Sequence, residues 1–152
     1  MAIPKSLGSL AGNWTGESVL HLPWLPEGEQ ILESTSTLNL WVSGREDIAA
    51  AHYTWEHEGH IQAGAIVIAA SPQTVTAGWS DTWHQKEAVL ALSGSNDDIL
   101  DVTAPYAKDQ DGHWQWRIKL YGAEMSLYLE MFNISPNVEE TWAVRAQYRR
   151  QT

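Results

Sequence analysis

Asp81 stands between two tryptophans in the segment Trp79-Ser80-Asp81-Thr82-Trp83. In an extended strand, residues two apart point to the same side, so the carboxyl group is expected to lie between the two indoles. A carboxylate among aromatic rings has a raised pKa unless it is paired, and such groups often mark functional sites. Asp81 could therefore accept a hydrogen bond from a ligand or act as a general base.

A structural role for Asp81 competes with this interpretation. Buried polar groups usually find partners inside the protein. Asp81 would then accept hydrogen bonds from an indole N–H or from the hydroxyl of Tyr148 and hold strands together. Both roles remain open at the level of sequence, and the structural one is the simpler.

The other chemically capable side chains form weaker patterns. His57 and His60 flank the turn Glu58-Gly59, and His52 and Glu56 lie nearby. Zinc requires three or four convergent ligands, so we expect a solvated hairpin tip, with no metal site and no cofactor. The chain has no cysteine and no nucleophile elbow, phosphate-binding loop or dinucleotide fingerprint. The sequence favours a binding protein over an enzyme.

Length and charge narrow the classes of partner. The 152 residues suit a single domain over 1–152, and the net charge of −10 makes nucleic acid and anionic membrane surfaces poor partners. The segment Met1–Lys5 lacks the pattern of a signal peptide, and the apolar run near Ala65–Ala70 is too short to span a bilayer. We therefore expect a cytoplasmic protein, and a homodimer is compatible with the sequence.

The elements that would position these residues are strands. After a short helical turn between Pro4 and Leu10, extended segments and tight turns alternate roughly every dozen residues, which is typical of all-β proteins. Tight turns join antiparallel neighbours, and closure of the meander would remove exposed edges, so we predict an up-and-down barrel of about ten strands. The predicted strands are Gly12–Leu22, Ile31–Ser43, Asp47–His57, His60–Ala70, Gln73–His84, Ala88–Ser93, Ile99–Ala104, His113–Tyr121, Glu124–Ile134 and Val138–Arg149.

Alternation along these strands predicts which side chains face the interior. The segments 47–57 and 60–70 are rich in alanine and do not reveal their inward face. The residues predicted to face inward elsewhere are Ser34, Ser36, Leu38, Leu40, Val42, Val75, Ala77, Trp79, Asp81, Trp83, Trp114, Trp116, Ile118, Leu120, Met125, Leu127, Leu129, Met131, Val138, Trp142, Val144, Ala146 and Tyr148.

Three short motifs resemble a known family. They are L-x-G-x-W-x-G at Leu10–Gly16, W-x-D-[ST] at Trp79–Thr82 and Y-x-R at Tyr148–Arg150. Together they resemble a bacterial calycin-like β-barrel family of unknown function, related to lipocalins, fatty-acid-binding proteins and nitrobindins. The motifs span nearly the whole chain, and the resemblance implies a calycin-like barrel.

The resemblance also implies roles for particular residues. In calycins the first-strand tryptophan plugs the closed end of the barrel and an arginine of the last strand stacks across it. That implies Trp14 with Arg150 or Arg149 here, joined by a cation–π contact. Nitrobindins bind haem through a histidine near the end of the chain. The last histidine here is His113, so haem binding is not carried over.

These observations predict that the barrel binds a small apolar or aromatic molecule in its interior. A ten-stranded barrel is wide enough to leave a cavity of ligand size. The loop around Trp24 either gates the entrance or packs outside. The alternatives are an isomerase or lyase that uses Asp81 as acid or base, and a filled barrel that binds a protein through outer aromatics such as Trp41 and Tyr121. The predicted walls are Trp79, Trp83, Trp116, Met131 and Trp142, with Asp81, Ser36 and Tyr148 as polar anchors.

Overall fold

The computed structural model describes residues 3–151 and contains one short helix and ten strands. The helix begins at Lys5, directly after Pro4, which is its N-cap residue. The elements are α1 (Lys5–Gly8), β1 (Gly12–His21), β2 (Ile31–Val42), β3 (Ile48–His57), β4 (His60–Ala70), β5 (Thr74–Asp81), β6 (Leu90–Ser95), β7 (Leu100–Asp109), β8 (Gly112–Ala123), β9 (Ser126–Ile134) and β10 (Glu140–Arg150).

The strands form a closed antiparallel barrel. Each strand pairs with the next along the chain, and β1 pairs with β10 in a register that runs from Trp14↔Arg150 to Leu20↔Val144. This confirms the predicted all-β, ten-stranded, up-and-down barrel with a short N-terminal helical turn. Closure pairs the outer edges of the first and last strands, so neither edge is left free to pair with another chain. Within residues 3–151 no helix has the length and hydropathy to cross a membrane.

In the alanine-rich strands β3 and β4, the pairing register with neighbouring strands decides which face points inward. In β3, Ala49, Ala51, Tyr53 and Trp55 are buried and their neighbours are not, while in β4 the buried side chains include that of Ile66. Small side chains on both faces give little hydrophobic contrast along the sequence. Pairing with β2 and β5, whose patterns are clear, decides which face is inner.

The end of the barrel next to α1, which we call the helix end, is closed by Trp14 and Arg150. The guanidinium of Arg150 lies 4.5 Å from the centre of the Trp14 ring. Arg150 also donates hydrogen bonds to the carbonyl oxygens of Ala11 at 2.8 Å and Ser9 at 2.9 Å. The Trp14 indole donates to the Leu10 oxygen at 2.9 Å. The stacking expected of Trp14 with a terminal arginine is confirmed, and the arginine is Arg150.

The opposite end of the barrel is formed by turns 22–30, 58–59, 82–89, 110–111 and 135–139. In the first of these, Leu22 is buried and Leu25 packs against the core, whereas the Trp24 side chain is 71% exposed. Leucine contacts therefore anchor the loop, and the Trp24 indole lies in solvent rather than in the barrel entrance.

Candidate ligand site at the aromatic end of the barrel

Asp81 is the last residue of β5, at the end of the barrel opposite the helix, and its side chain is 2% exposed. Its Oδ1 accepts the backbone N–H groups of Trp83 at 3.2 Å, His84 at 2.6 Å and Gln85 at 2.7 Å. Aspartate commonly bonds the backbone just after itself in this way and starts a turn. Asp81 therefore fixes the start of the 82–89 loop.

The second carboxylate oxygen of Asp81 faces a histidine. Oδ2 lies 3.1 Å from Nδ1 of His84. Burial alone would raise the pKa of Asp81, but the hydrogen bonds from His84 and from the backbone N–H groups outweigh it and lower that pKa. Asp81 is thus an ionised carboxylate with its acceptors occupied, which makes it a poor general base. Its partners are loop atoms rather than the indole or Tyr148 hydroxyl that the structural interpretation named.

Tyr53 links Asp81 to the tryptophans. The Trp79 indole donates to the Tyr53 hydroxyl at 2.9 Å. Burial raises the pKa of Tyr53 well above its usual value, and the nearby Asp81 carboxylate acts in the same direction. The Tyr53 ring lies over Gly64 of β4, where a β-carbon would occupy the space of the ring. Glycine is therefore required for this packing.

Seven side chains pack together at this end of the barrel, beside Asp81. The Trp79 and Trp116 rings are parallel, with centres 5.4 Å apart and planes inclined by 3°, and His84 lies 5.1 Å from Trp116. Trp83 meets Trp55 edge-on at 5.3 Å and His57 at 4.6 Å. We call the set the aromatic cluster, and this end of the barrel the aromatic end. Its members are Tyr53, Trp55, His57, Trp79, Trp83, His84 and Trp116.

Two ring nitrogens of the aromatic cluster are buried without a partner. Nε1 of Trp116 and Nδ1 of His57 have no hydrogen bond to any residue within 3–151. A buried donor or acceptor left unpaired costs about 1–3 kcal/mol. Buried polar atoms of this kind are normally bonded to protein, to water or to a ligand. The His57 ring contacts Trp83 and the Trp116 ring contacts His84, so both rings adjoin the loop after β5.

Ser36 and Tyr148, two predicted polar anchors, bond to each other. The Ser36 hydroxyl lies 2.7 Å from the Thr54 carbonyl oxygen and 2.8 Å from the Tyr148 hydroxyl. The Ser36 hydroxyl donates its single proton to Thr54, so the Tyr148 hydroxyl must donate to Ser36. Burial raises the pKa of Tyr148 to about 12. Both hydroxyls are thus engaged inside the protein.

The interior next to the aromatic cluster contains only a small cavity. It is lined in part by Ser18, Asp81, His84, Met131 and Tyr148. The volume in which the centre of a water molecule can lie is about 10 Å³. That is room for about one water. The cavity here is therefore far smaller than the ligand-sized space that strand number predicted, because Tyr53, Trp55 and Tyr148 project into the barrel and fill it.

Trp142 does not line the barrel, so its prediction as a wall residue is wrong. A β-bulge between Trp142 and Val144 inserts one extra residue in β10, and Ala143 packs toward the core instead. Trp142 faces out, stacked on His21 at 4.7 Å with Arg145 4.3 Å above its ring. One extra residue reverses the alternation on which the prediction rested.

Three further residues predicted to face inward lie outside the core. The Trp114 indole donates to the Asp109 carboxylate at 2.6 Å at the tip of the β7–β8 hairpin, whose register shifts between positions 105 and 107. Met125 and Val138 lie in turns rather than strands and are 93% and 80% exposed. Alternation fails at all three because a bulge or a turn interrupts the extended backbone.

The structure brings together four of the eight predicted site residues. Trp79, Asp81, Trp83 and Trp116 meet at the aromatic end. Met131 and Tyr148 line the small cavity beside them, and Ser36 lies behind Tyr148.

Sequence reasoning missed the contributions of β3 and of the 82–89 loop. Tyr53, Trp55 and His57 alternate along β3, which is the signal that could have identified them, but the alanines before them obscured the face. His84 follows Asp81 by three residues, the spacing at which an aspartate reaches the backbone and side chain of a turn.

Fold and site together define a closed ten-stranded antiparallel barrel with a largely buried aromatic cluster and an Asp–His pair at one end. Across residues 3–151, no three histidine or acidic side chains converge as metal ligands. No protein-family model matches the chain, and no curated protein matches it either.

Proposed function

We propose that the chain binds a small planar aromatic molecule at the aromatic end of the barrel, beneath the loop that carries Trp83. The observation that carries this proposal is the pair of unpartnered buried nitrogens, Trp116 Nε1 and His57 Nδ1, within the aromatic cluster. A planar ligand with an acceptor atom would satisfy the Trp116 N–H while its ring packed among the indoles. The resemblance to calycin-like proteins agrees with such a role.

Entry to this site requires movement of Trp83. Its ring covers Trp55 and His57 by edge contacts, and it lies on the loop after β5 rather than in a strand. Asp81 fixes the start of that loop through three backbone N–H groups. The side chain can therefore swing outward while the strand end stays in place, which uncovers Trp55 and His57.

Calorimetric titration with a panel of flavonoids, tetrapyrroles and fatty acids tests the proposal. A planar aromatic member should bind, and Trp116→Phe should weaken its binding about fivefold to tenfold, because one hydrogen bond contributes about 1 kcal/mol. The matched control is Trp24→Phe, since the Trp24 side chain is 71% exposed in solvent. If no member of the panel binds, or if a ligand binds the Trp116→Phe variant with unchanged affinity, the result would count against the site.

A specific contact also favours an enzymatic alternative, an isomerase or lyase. If the neutral His84 ring donates from Nδ1 to Asp81 Oδ2, 3.1 Å away, its Nε2 is left with a free lone pair at the small cavity. An aspartate that holds a histidine in one tautomer makes that histidine an effective general base. His84 thus replaces Asp81 as the group that would move a proton, and Asp81 becomes a positioning residue.

This alternative predicts a division between binding and turnover. In a screen of isomerisation and elimination substrates, His84→Gln should abolish turnover while the same compound still binds. Asp81→Asn should reduce turnover and alter its pH profile, because the amide no longer selects the tautomer. Turnover that survives His84→Gln would rule out the assignment.

A further inference from the structure

Half of the barrel wall is almost free of charged side chains. Segments 34–44, 48–55, 59–80 and 88–96 contain no Lys, Arg, Asp or Glu, although the chain has 9 Lys and Arg and 19 Asp and Glu. These segments supply most of β2 and β3 and all of β4 and β6, with β5 up to Asp81. We call the outward-facing residues of β2–β6 within these segments the uncharged wall.

The other half of the barrel is different. On the outward face of β8 and β10, Arg117 forms ion pairs with Asp101 at 2.6 Å and Glu140 at 2.8 Å, and Arg145 and Arg149 are exposed. Exposed charges keep a surface solvated. A surface region that lacks charged side chains but keeps aromatic ones is characteristic of the centre of an interface. The uncharged wall shares this lack of charge, and its exposed Trp41, Ile61 and Val67 are the side chains that a contact would cover.

The shape of the uncharged wall is complementary to a second copy of itself. Trp41 and Val67 project from it, 54% and 55% exposed, and they lie in one row because Trp41 pairs with Ala50 and Ala50 pairs with Val67. Beside that row is a shallow groove of about 640 Å³ lined by small residues that include Ala63 and Ala65, with the charged loop residues Lys86 and Glu87 along its border. A projecting indole and a groove on the same surface suit a two-fold contact, in which each copy fills the other's groove.

We propose that two copies of this chain dimerise face to face through their uncharged walls, with Trp41 of each copy in the groove of the other. A chain with net charge −10 repels its own copies everywhere except where charge is missing. The charges that border the groove, Lys86 and Glu87, are of opposite sign, so a strongly charged partner gains little there and a second copy is favoured as the occupant.

The wall is large enough for such a contact. Five strands spaced about 4.8 Å apart, each offering about seven residues, make a face of roughly 20 by 23 Å. Two such faces bury close to the 1,000 Å² or so that marks a specific interface. The groove is bordered by the 82–89 loop, which also carries Trp83, so the dimer is tested on the chain without added ligand.

Light scattering on the purified chain at a concentration on the order of 0.1 mM tests the proposal. The expected mass is twice that of the chain, and both Trp41→Glu and Val67→Glu should halve it, since each buries a charge without a partner in the contact. Met125→Glu, at a side chain 93% exposed in the β8–β9 turn, is the matched control and should stay dimeric.

A distance measurement keeps the test independent of these variants. The chain has no cysteine, so a nitroxide label at Ala50→Cys or Gln147→Cys reports a single site. Labels at Ala50 should lie roughly 20 Å apart across faces packed about 10 Å from one another, and labels at Gln147 much farther. A monomer at this concentration, a dimer that survives both wall substitutions, or a short distance between labels at Gln147 would overturn the proposal.

Discussion

Among single residues, Asp81 has the most consequential surroundings. It combines 2% side-chain exposure with four hydrogen bonds, three of them from backbone N–H groups of the loop that follows. Those bonds more than compensate for the loss of hydration, and the carboxylate stays ionised. Asp81, for which the sequence left a ligand contact, a general base and a structural role open, is the anchor of a loop and the partner of His84.

We predict that Asp81→Asn destabilises the fold by about 1–3 kcal/mol at neutral pH, because charged hydrogen bonds are replaced by neutral ones. The pKa of Asp81 is lowered in the folded protein. Its contribution is therefore complete above about pH 4 and is lost as pH falls through the lowered folded value. Urea unfolding at pH 7 and pH 3 measures this: the gap between wild type and variant should narrow at the lower pH.

The control for this prediction is Asp97→Asn, which removes the same charge from an exposed residue in the loop after β6. It should leave the free energy of unfolding nearly unchanged at both values of pH. A gap for Asp81→Asn that widens on acidification would contradict the assignment of Asp81 as an ionised anchor.

Within the strands, individual positions decide what the barrel encloses. Gly64 of β4 leaves the space in which the Tyr53 ring lies, and the Tyr53 hydroxyl in turn accepts from Trp79. In β10, one extra residue between Trp142 and Val144 turns an indole outward and Ala143 inward. Aromatic residues therefore fill the aromatic end from β3, β5 and β8, and β10 adds none to the cluster.

Gly64→Ala is predicted to destabilise the protein by about 1–3 kcal/mol, because the new methyl group must displace the Tyr53 ring in a packed core. Thermal unfolding followed by circular dichroism measures the loss. Gly44→Ala provides the comparison: a β-carbon there would meet no atom within 4 Å beyond its chain neighbours, so this variant should unfold close to wild type. Equal effects of the two substitutions would mean that Tyr53 moves aside at no cost.

Across the whole molecule, the two ends and the two walls of the barrel differ. The helix end is closed by Trp14 and Arg150, which join the first strand, the last strand and the segment before β1. The aromatic end holds the proposed ligand site. One wall is charged and the other is not, which assigns solvent to the first and a second copy to the other in our proposal.

Arg150→Lys should lower the free energy of unfolding by about 1–2 kcal/mol. Lysine keeps the charge but cannot stack flat on Trp14 while donating to the carbonyls of Ser9 and Ala11. The neighbouring Arg149→Lys is the control, since Arg149 lies at a polar groove on the outside of the barrel. Chemical denaturation of both variants decides the matter, and a larger loss in Arg149→Lys would refute this account of closure.

Local sequence patterns were enough to predict the strands and with them the barrel. Period-two alternation and turn residues are local signals, so the number, order and direction of the strands could be predicted from them. The inward positions of Trp79, Asp81 and Trp116 followed from the same alternation. The alanines of β3 and β4 obscured the inward face of these strands, although Tyr53, Trp55 and His57, which β3 contributes to the aromatic cluster, do alternate.

The filling of the interior and the contacts of Asp81 depend instead on how distant segments pack. A bulge changes the face of Trp142 without any change in composition, because it depends on how β10 pairs with β9. The partners of Asp81 come from a turn whose path is set by packing of Trp83 on β3. Cavity size likewise depends on side chains from strands distant in sequence, so it became visible only once the barrel had closed around them.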